Sequence, residues 1–310
     1  MLDRYYRSIG SELQLKEQQV KAVSDLIAEG STVPFIARYR KEATGALNEV
    51  HIIAIRDRLE QLRELDKRRE AIRKSLKEQE KLTEELETKV KEADTLSKLE
   101  DIYLPYRPKR RTRGMIAREK GLEPLAAMIF EQKDMDVREV AETFVDAEKD
   151  IETADGALAG ARDIIAEWIN EDELVRARLR ELFSLKAVLR SSVSRGKEEA
   201  GIKYKDYYDW AEPIATAPSH RILAIRRGAS EGFLTFHILP DENITLSILR
   251  KRFIKADNAA ADQVSTALHD SYKRLLSLSM ETEIRVHSKK IADETAIKVF
   301  AENLRDLLPD

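Results

Sequence analysis

The chain has 310 residues, of which 42% are hydrophobic and 36% are charged. This length predicts two or three structural units. The 54 basic and 57 acidic residues leave a net charge of −3, which excludes a uniformly positive surface but not a local basic patch. Cysteine is absent, which excludes a disulfide scaffold, a thiolate nucleophile and a cysteine zinc site. No run approaches the roughly 20 apolar residues of a membrane span. We therefore expect a mainly α, cytoplasmic protein that uses no cofactor or metal and has no membrane partner.

The first predicted region, residues 1–80, begins with two short helices. Apolar residues follow a helical spacing over 16–29, Gly30 stands where a left-handed cap belongs, and a second short helix covers 35–41 and ends near Gly45. Two short helices joined by a tight turn are a weak helix-turn-helix signal. Asn48 then caps a long predicted helix over 49–80. Its near-heptad apolar seam is interrupted by Arg69, so we expect this helix to pack on its neighbours rather than in an intermolecular coiled coil.

The second predicted region, residues 81–190, contains several further helices. Thr83 and Thr95 are typical helix-capping residues, and the helix that starts at Thr95 should stop before Pro105. Residues 105–121 are rich in proline, glycine and basic side chains, a composition that predicts a loop. Helical periodicity then resumes over 122–131, 136–148, 154–169 and 171–189.

The third predicted region, residues 191–310, combines irregular chain, one strand and long helices. Residues 191–219 have no clear periodicity, and a short helix over 221–227 should stop at Gly228. The best strand in the sequence is 233–239, so a small β element near 232–239 is the most sheet that we expect. Two long helices follow over 259–280 and 281–308, the last with a seam of Ile297, Phe300, Leu304 and Leu307. The predicted architecture is an elongated multi-helix scaffold with an N-terminal helix-turn-helix-like unit.

A dense basic segment between Tyr103 and Gly121 carries seven cations and one acid, Glu119. Arginine matches phosphate oxygens with a planar fork of donors, and tyrosine stacks on unpaired bases. The candidate nucleic-acid-binding residues here are Tyr103, Tyr106, Arg107, Lys109, Arg110, Arg111, Arg113 and Arg118. The alternative is that these cations neutralise an acidic surface of their own protein, and the sequence leaves both interpretations open.

Two weaker basic groups stand elsewhere in the chain. Arg38, Arg40 and Lys41 lie in the second helix of the helix-turn-helix-like unit, where they would face a phosphate backbone. A second strip runs over 250–252 and includes Lys255. For both groups a solvated helix face is the simpler interpretation.

The sequence offers no anchor for an enzyme. A P-loop is excluded around Gly196 and Lys197, because position 191 is serine and Glu198 follows the lysine. Neither a Gly-x-Ser-x-Gly nor a His-Glu-x-x-His motif occurs. A hidden hydrolase is therefore the least supported hypothesis.

Several segments together resemble the N-terminal region of the bacterial Tex family of transcription accessory proteins. The segments that carry the resemblance are Ser31–Glu42, Leu99–Tyr106, Lys109–Thr112, Phe144–Lys149, Ala217–Arg221 and Val299–Leu308. They run nearly from end to end, so the resemblance covers essentially the whole chain.

The resemblance implies a cytoplasmic protein that binds nucleic acid, RNA in particular, and whose N-terminal region is a helical scaffold with a helix-turn-helix unit. It also implies that family members continue into an RNase H-like domain, helix-hairpin-helix units and an OB-fold RNA-binding domain. None of those domains is present in these 310 residues, so we expect this sequence to be a fragment of a longer protein.

Together the residues and the resemblance predict a non-enzymatic scaffold region that binds RNA or DNA through the phosphate backbone, without sequence specificity. Transcription or translation machinery is a further expected partner. The alternative is a helical interaction scaffold that docks RNA polymerase, the ribosome or the protein's own C-terminal domains and does not itself bind nucleic acid.

Overall fold

The computed structural model describes residues 2–108 and 111–307, and it divides into two compact units, Met1–Arg107 and Pro108–Asp310. The described residues are mainly helical and contain one three-stranded sheet, which confirms the predicted mainly α class. The three-region division stays a prediction. Within the described residues, no helix combines the length and the apolar character needed to cross a membrane.

The first unit contains seven α-helices and a short 3-10 turn. They are α1 (Leu2–Leu13), α2 (Glu17–Ala28), α3 (Val33–Tyr39), α4 (Lys41–Thr44), α5 (Glu49–Glu78), α6 (Glu84–Glu92), α7 (Leu96–Tyr103) and the 3-10 turn Leu104–Tyr106. The side chains of Asn48, Thr83 and Thr95 accept hydrogen bonds from the first turns of α5, α6 and α7. These three predicted helix starts are confirmed, because an N-cap satisfies backbone donors that a helix leaves unpaired.

The long helix α5 joins two hydrophobic cores. Its first half contributes Ile52 and Ile55 to a core with α1, α2 and α3, and its second half contributes Ile72 and Leu76 to a core with α6 and α7. The prediction that this helix packs on its neighbours is confirmed. At the interrupted seam position, buried Arg69 donates to the carbonyls of Val90 and Ala93 at the end of α6 (3.0 and 2.8 Å), which replaces apolar packing by hydrogen bonds.

The second unit places its helices around one large core and a small sheet. Its elements are α8 (Arg113–Glu119), α9 (Glu123–Glu131), α10 (Val137–Glu142), α11 (Ala154–Glu171), α12 (Glu173–Lys186), β1 (Val188–Val193), β2 (Asp209–Pro213), α13 (Ser219–Ser230), β3 (Leu234–Leu239), α14 (Glu242–Phe253), α15 (Ala259–Ser271) and α16 (Ser277–Leu307). Helix α11 is the most buried of them, with Ala157, Ala161, Ile164 and Ile165 in the core.

The predicted loop over 105–121 is wrong for its second half, which contains helix α8. Thr112 caps this helix by accepting a hydrogen bond from the Met115 amide, and the chain leaves it through Gly121 at a positive φ of 82°. The composition misled the prediction because arginine is a good helix former on an exposed face. The predicted end of the preceding helix before Pro105 is confirmed, because α7 ends at Tyr103 and Pro105 lies in the 3-10 turn that follows.

The prediction that residues 191–219 are irregular is also wrong in part, because β1 ends within this stretch and β2 lies entirely inside it. The sheet order is β2-β1-β3 with both pairs antiparallel. The predicted strand 233–239 is confirmed as β3, and the sheet is small as expected. The predicted helix end at Gly228 is wrong, because α13 continues to Ser230. Gly228 instead lets β3 approach the helix closely, since an added Cβ there would lie 2.7 Å from a methyl carbon of Leu234.

The predicted break between the last two long helices is wrong. The chain stays helical from Ala259 to Leu307 and passes through a π-helical turn at Tyr272–Leu276 instead of breaking near 280. Ile297 and Phe300 of the predicted seam are exposed. The side chains of Leu304 and Leu307 lie outside what the structure describes.

Candidate nucleic-acid interface

The two tyrosines of the basic segment belong to the core of the first unit. Tyr103 is buried, its hydroxyl lies 2.8 Å from Oγ of Ser75, and the guanidinium of Arg68 covers its ring at 5.6 Å. Tyr106 is half-buried against the same core. The structure does not support the stacking role predicted for Tyr103, because base stacking needs an open ring face and this ring is buried.

Several cations of the basic segment form ion pairs with carboxylates of the second unit. Arg111 lies 2.7 Å from Glu119. Arg118 lies 2.8 Å from the buried carboxylate of Glu167 and 3.3 Å from Glu123. These ion pairs agree with the alternative interpretation of the sequence, in which the cations neutralise acidic groups of their own protein.

Lys120, in the same segment, donates to a carboxylate oxygen and to the carbonyl of Asp150, both at 2.7 Å. This hydrogen bond lowers the pKa of the Asp150 carboxyl from its ordinary value.

Two exposed arginines of the segment form no ion pair within residues 2–108 and 111–307: Arg107 and Arg113. Arg113 lines a groove of about 480 Å³ beside the first half of α11, together with Asp163. Burial raises the pKa of the Asp163 carboxyl, while Arg274 and Arg113 act in the opposite direction. Lys109 and Arg110 lie outside the described residues.

The α3–α4 surface, which we define by Arg38, Arg40 and Lys41, differs from the basic segment. All three side chains are exposed, and none pairs with a carboxylate in the described part of the chain. The helices that carry them are held by buried Ile36, which packs in the core, and by Gln19, whose amide donates to the carbonyl of Thr44 at 3.1 Å. Three uncompensated cations are therefore presented on a fixed support.

Two exposed aromatic side chains on α3 accompany these cations, and the sequence analysis did not select them. The rings of Phe35 and Tyr39 lie 5.4 Å apart, and the Arg40 guanidinium lies 5.4 Å from the Phe35 centroid. Tyr39 is 69% exposed. Their i, i+4 spacing beside Arg38 and Arg40 was the available signal, because that spacing puts side chains on one helix face.

Comparison with known proteins identifies the family of this chain. Residues 3–77 match the Tex-like protein N-terminal domain, and residues 132–300 match the family described as Tex central region-like. This chain belongs to the Tex family. The resemblance inferred from the sequence is thereby confirmed.

Individual relatives of the Tex family cover nearly all of this chain. It is 40% identical to the transcriptional accessory protein Tex of Neisseria gonorrhoeae over 97% of its own length, and 41% identical to protein YhgF of Escherichia coli K12 over 99%. It is 26% identical to the human S1 RNA-binding domain-containing protein 1 over 91%. The chain spans about two fifths of the two bacterial relatives, covering 40% and 41% of their lengths.

Proposed function

We propose that this chain is a non-enzymatic scaffold region of a Tex-like transcription accessory protein and that it binds the phosphate backbone of RNA or DNA. The observation that carries the proposal is the α3–α4 surface, where Arg38, Arg40 and Lys41 stand without carboxylate partners in the described chain. A cation already paired inside its protein loses that pairing when it binds a phosphate, whereas an unpaired one releases only counterions.

This proposal shifts the expected contact from the basic segment to the α3–α4 surface. Arg111 and Arg118 already contact carboxylates, so their positive potential is partly cancelled. Arg107 and Arg113, which are exposed, stay candidates for a second, weaker contact. The names of the relatives, a transcriptional accessory protein and an S1 RNA-binding domain-containing protein, support a role beside nucleic acid.

The test is a titration of fluorescently labelled RNA and DNA with the whole chain at several salt concentrations. We expect binding at low salt that the triple variant Arg38→Ala/Arg40→Ala/Lys41→Ala weakens at least tenfold. The matched control is Lys74→Ala/Lys89→Ala/Lys91→Ala, which removes three exposed lysines of the same unit that already have i, i+4 acidic partners. The variant Lys109→Ala/Arg110→Ala/Arg111→Ala measures the share of the basic segment. Absence of binding at low salt, or equal losses in the first variant and its control, would refute the proposal.

One observation favours a second candidate, the helical interaction scaffold. Helix α16 exposes large apolar side chains, among them Val286, Ile297 and Phe300, and exposed apolar side chains in series are typical of protein contacts. Under this hypothesis, association with RNA polymerase or ribosomes survives nuclease treatment and is lost in Ile297→Ser/Phe300→Ser. Association that disappears with nuclease alone would favour the nucleic-acid proposal instead.

A further inference from the structure

The second unit contains an aromatic-walled pocket that the proposed function does not use. It has a volume of about 430 Å³ and lies where the ends of α9, α11 and α14 meet, with Phe130, Trp168 and Phe253 among its walls. This volume falls in the usual range of small-molecule sites. The Phe130 and Trp168 rings meet edge to face at 5.5 Å, and the Phe130 and Phe253 centroids lie 6.1 Å apart.

The wall formed by the end of α14 is held by a buried glutamine. Gln132 donates from its side-chain amide to the carbonyl of Phe253 at 2.7 Å and accepts from the Lys255 amide at 2.8 Å. Its own carbonyl accepts from Asn258 at 2.9 Å. Gln132 adopts a positive φ of 57°, which is uncommon for a residue with a side chain. These three hydrogen bonds fix residues 253–258 against α9, so the pocket is preformed.

The charges around the pocket are not equivalent. Arg252 forms a two-pronged ion pair with Asp172, at 2.6 and 3.0 Å, so both groups are compensated. Lys255 forms no ion pair among the described residues, although its charge helps Lys133 to lower the pKa of the Glu131 carboxyl, and its amino group lies 5.4 Å from the Phe130 centroid. Glu171, which has a partner of its own, also lines the pocket. The pocket thus combines aromatic walls, one cation outside any ion pair and two carboxylates that already have partners.

We propose that this pocket binds a nucleotide, with the base against Trp168 and Phe130 and the phosphate on Lys255. A flat ring is stabilised by aromatic walls, and a phosphate by an unpaired ammonium group. Asp172 is already engaged by Arg252 and Glu171 has a partner of its own, so the base is held by its ring faces, and a purine such as guanine offers the larger flat surface. An acidic peptide carries several carboxylates, for which the pocket offers only one ammonium group outside an ion pair, so a ligand with a flat ring and a single phosphate is favoured.

The nucleotide could come from two sources, a free mononucleotide or one nucleotide of a strand, and the experiment separates them. The probes are guanosine 5′-monophosphate, guanosine, uridine 5′-monophosphate and a labelled guanosine-containing trinucleotide, titrated calorimetrically into the whole chain. We expect guanosine 5′-monophosphate to bind at least tenfold more tightly than guanosine, and more tightly than uridine 5′-monophosphate. A trinucleotide that binds more tightly than the mononucleotide identifies a strand as the source, and the reverse order identifies the free nucleotide.

The site is located with a pair of lysine variants. Lys255→Ala is expected to weaken the mononucleotide about tenfold while leaving guanosine unchanged, because it removes only the phosphate partner. The matched control is Lys251→Ala, an exposed lysine of α14 that is not among the lining residues of the pocket, and it should change binding less than twofold. Trp168→Phe keeps an aromatic wall and serves as the milder test of the base contact, with an expected loss of a few fold.

Three results would overturn the proposal: no mononucleotide binding at millimolar concentration, equal affinity for nucleotide and guanosine, or equal losses in the two lysine variants. Binding of an acidic phenylalanine peptide in place of the mononucleotide would assign the pocket to a protein partner. The outcome is separate from that of the proposed function. Arg38→Ala/Arg40→Ala/Lys41→Ala should leave mononucleotide binding unchanged, because none of these three residues lines the pocket.

Discussion

Arg118 of α8 donates a hydrogen bond of 2.8 Å to the carboxylate of Glu167 on α11, and the side chain of that glutamate is only 6% exposed. The two residues are 49 positions apart in the sequence. The contact lies where the two helices cross, beside Gly114, whose missing side chain makes room for the Glu167 carboxylate. A cation that the sequence pattern assigns to nucleic acid therefore compensates a buried charge of its own protein.

The first prediction concerns the stability that this ion pair contributes. Arg118→Ala leaves a buried carboxylate without its charged partner. Because the Arg118 side chain is itself 28% exposed, we expect the free energy of unfolding to fall by about 2–3 kcal/mol, less than the roughly 3–5 kcal/mol of a fully buried pair. Arg111→Ala, which breaks the exposed pair with Glu119, should cost less than about 1 kcal/mol. Urea unfolding followed by circular dichroism measures both. Adding Glu167→Gln to Arg118→Ala should recover part of the loss, because it removes the buried charge. Equal costs for the two arginine variants would contradict the interpretation.

The second prediction concerns Gly114 at the same crossing. A Cβ at this position would lie 2.5 Å from the carboxyl carbon of Glu167, so Gly114→Ala has to displace the carboxylate that Arg118 holds. We expect a lower free energy of unfolding, by about 1–3 kcal/mol. The control is Gly156→Ala on the exposed face of α11, where the nearest atom lies at 3.4 Å. That variant should be neutral or stabilising by up to about 1 kcal/mol, because alanine favours a helix. A stabilised Gly114→Ala chain would show that the two helices are free to separate.

The third prediction concerns the salt dependence of nucleic-acid binding at the α3–α4 surface. Each neutralised phosphate contributes roughly 0.7–0.9 to the slope of log affinity against log salt concentration. If Arg38, Arg40 and Lys41 each contact one phosphate, Arg38→Ala/Arg40→Ala/Lys41→Ala should reduce the slope by about 2–3. Fluorescence anisotropy at four or more salt concentrations gives both slopes. A variant with weaker binding but an unchanged slope would mean that these side chains do not contact phosphates.

The fourth prediction concerns the pH dependence of the first unit. Two hydrogen bonds from Arg58, at 2.6 and 3.0 Å, lower the pKa of the Glu12 carboxyl below its ordinary value of 4.5, against a smaller effect of burial. Because the folded pKa is the lower one, the contribution to stability is present above pH 4.5 and is lost as the pH falls through the folded pKa. The pair is partly exposed, so we expect Glu12→Gln to cost less than about 1 kcal/mol at pH 7.

The measurement for Glu12 is the difference in unfolding free energy between wild type and Glu12→Gln from pH 7 to pH 2.5. The difference should shrink as the pH falls below 4.5. A difference that stays constant across this range would assign the effect to packing rather than to charge. Glu17→Gln, whose contact with Arg7 is longer and more exposed, is the matched control and should show almost no pH-dependent difference.

Local signals predicted the fold best where one side chain acts on its own turn. Asn48, Thr83 and Thr95 each cap a helix within three residues, and this interaction depends only on neighbouring sequence. Helix α8 and strand β1 were missed because their reasons lie elsewhere in the chain. Helix α8 rests on α11 through Gly114 and Arg118, and β1 is defined by its pairing with β2 and β3.

The candidate site, like the fold, could be predicted from the sequence only in part. The sequence contains every cation of the proposed site, but the basic segment ranked above the α3–α4 surface because charge density was the only measure available from the sequence. It also passed over Phe35 and Tyr39, since an aromatic at helical spacing is most often a core residue. Both rings are exposed beside Arg40 because Ile36 occupies the core position of α3, and only the tertiary structure determines which side chain does so.

The sequence by itself determined the mainly α class, the helix starts at Asn48, Thr83 and Thr95, the family and the places where cations gather. Only the tertiary structure decided which of those cations are still available to a ligand. The physical reason is that a charge is cancelled by an opposite charge within a few ångströms of it, and folding decides which groups come that close. For Arg118 and Lys120 the cancelling groups are 49 and 30 residues away along the chain, whereas for Arg38, Arg40 and Lys41 the described chain brings no carboxylate to them at all.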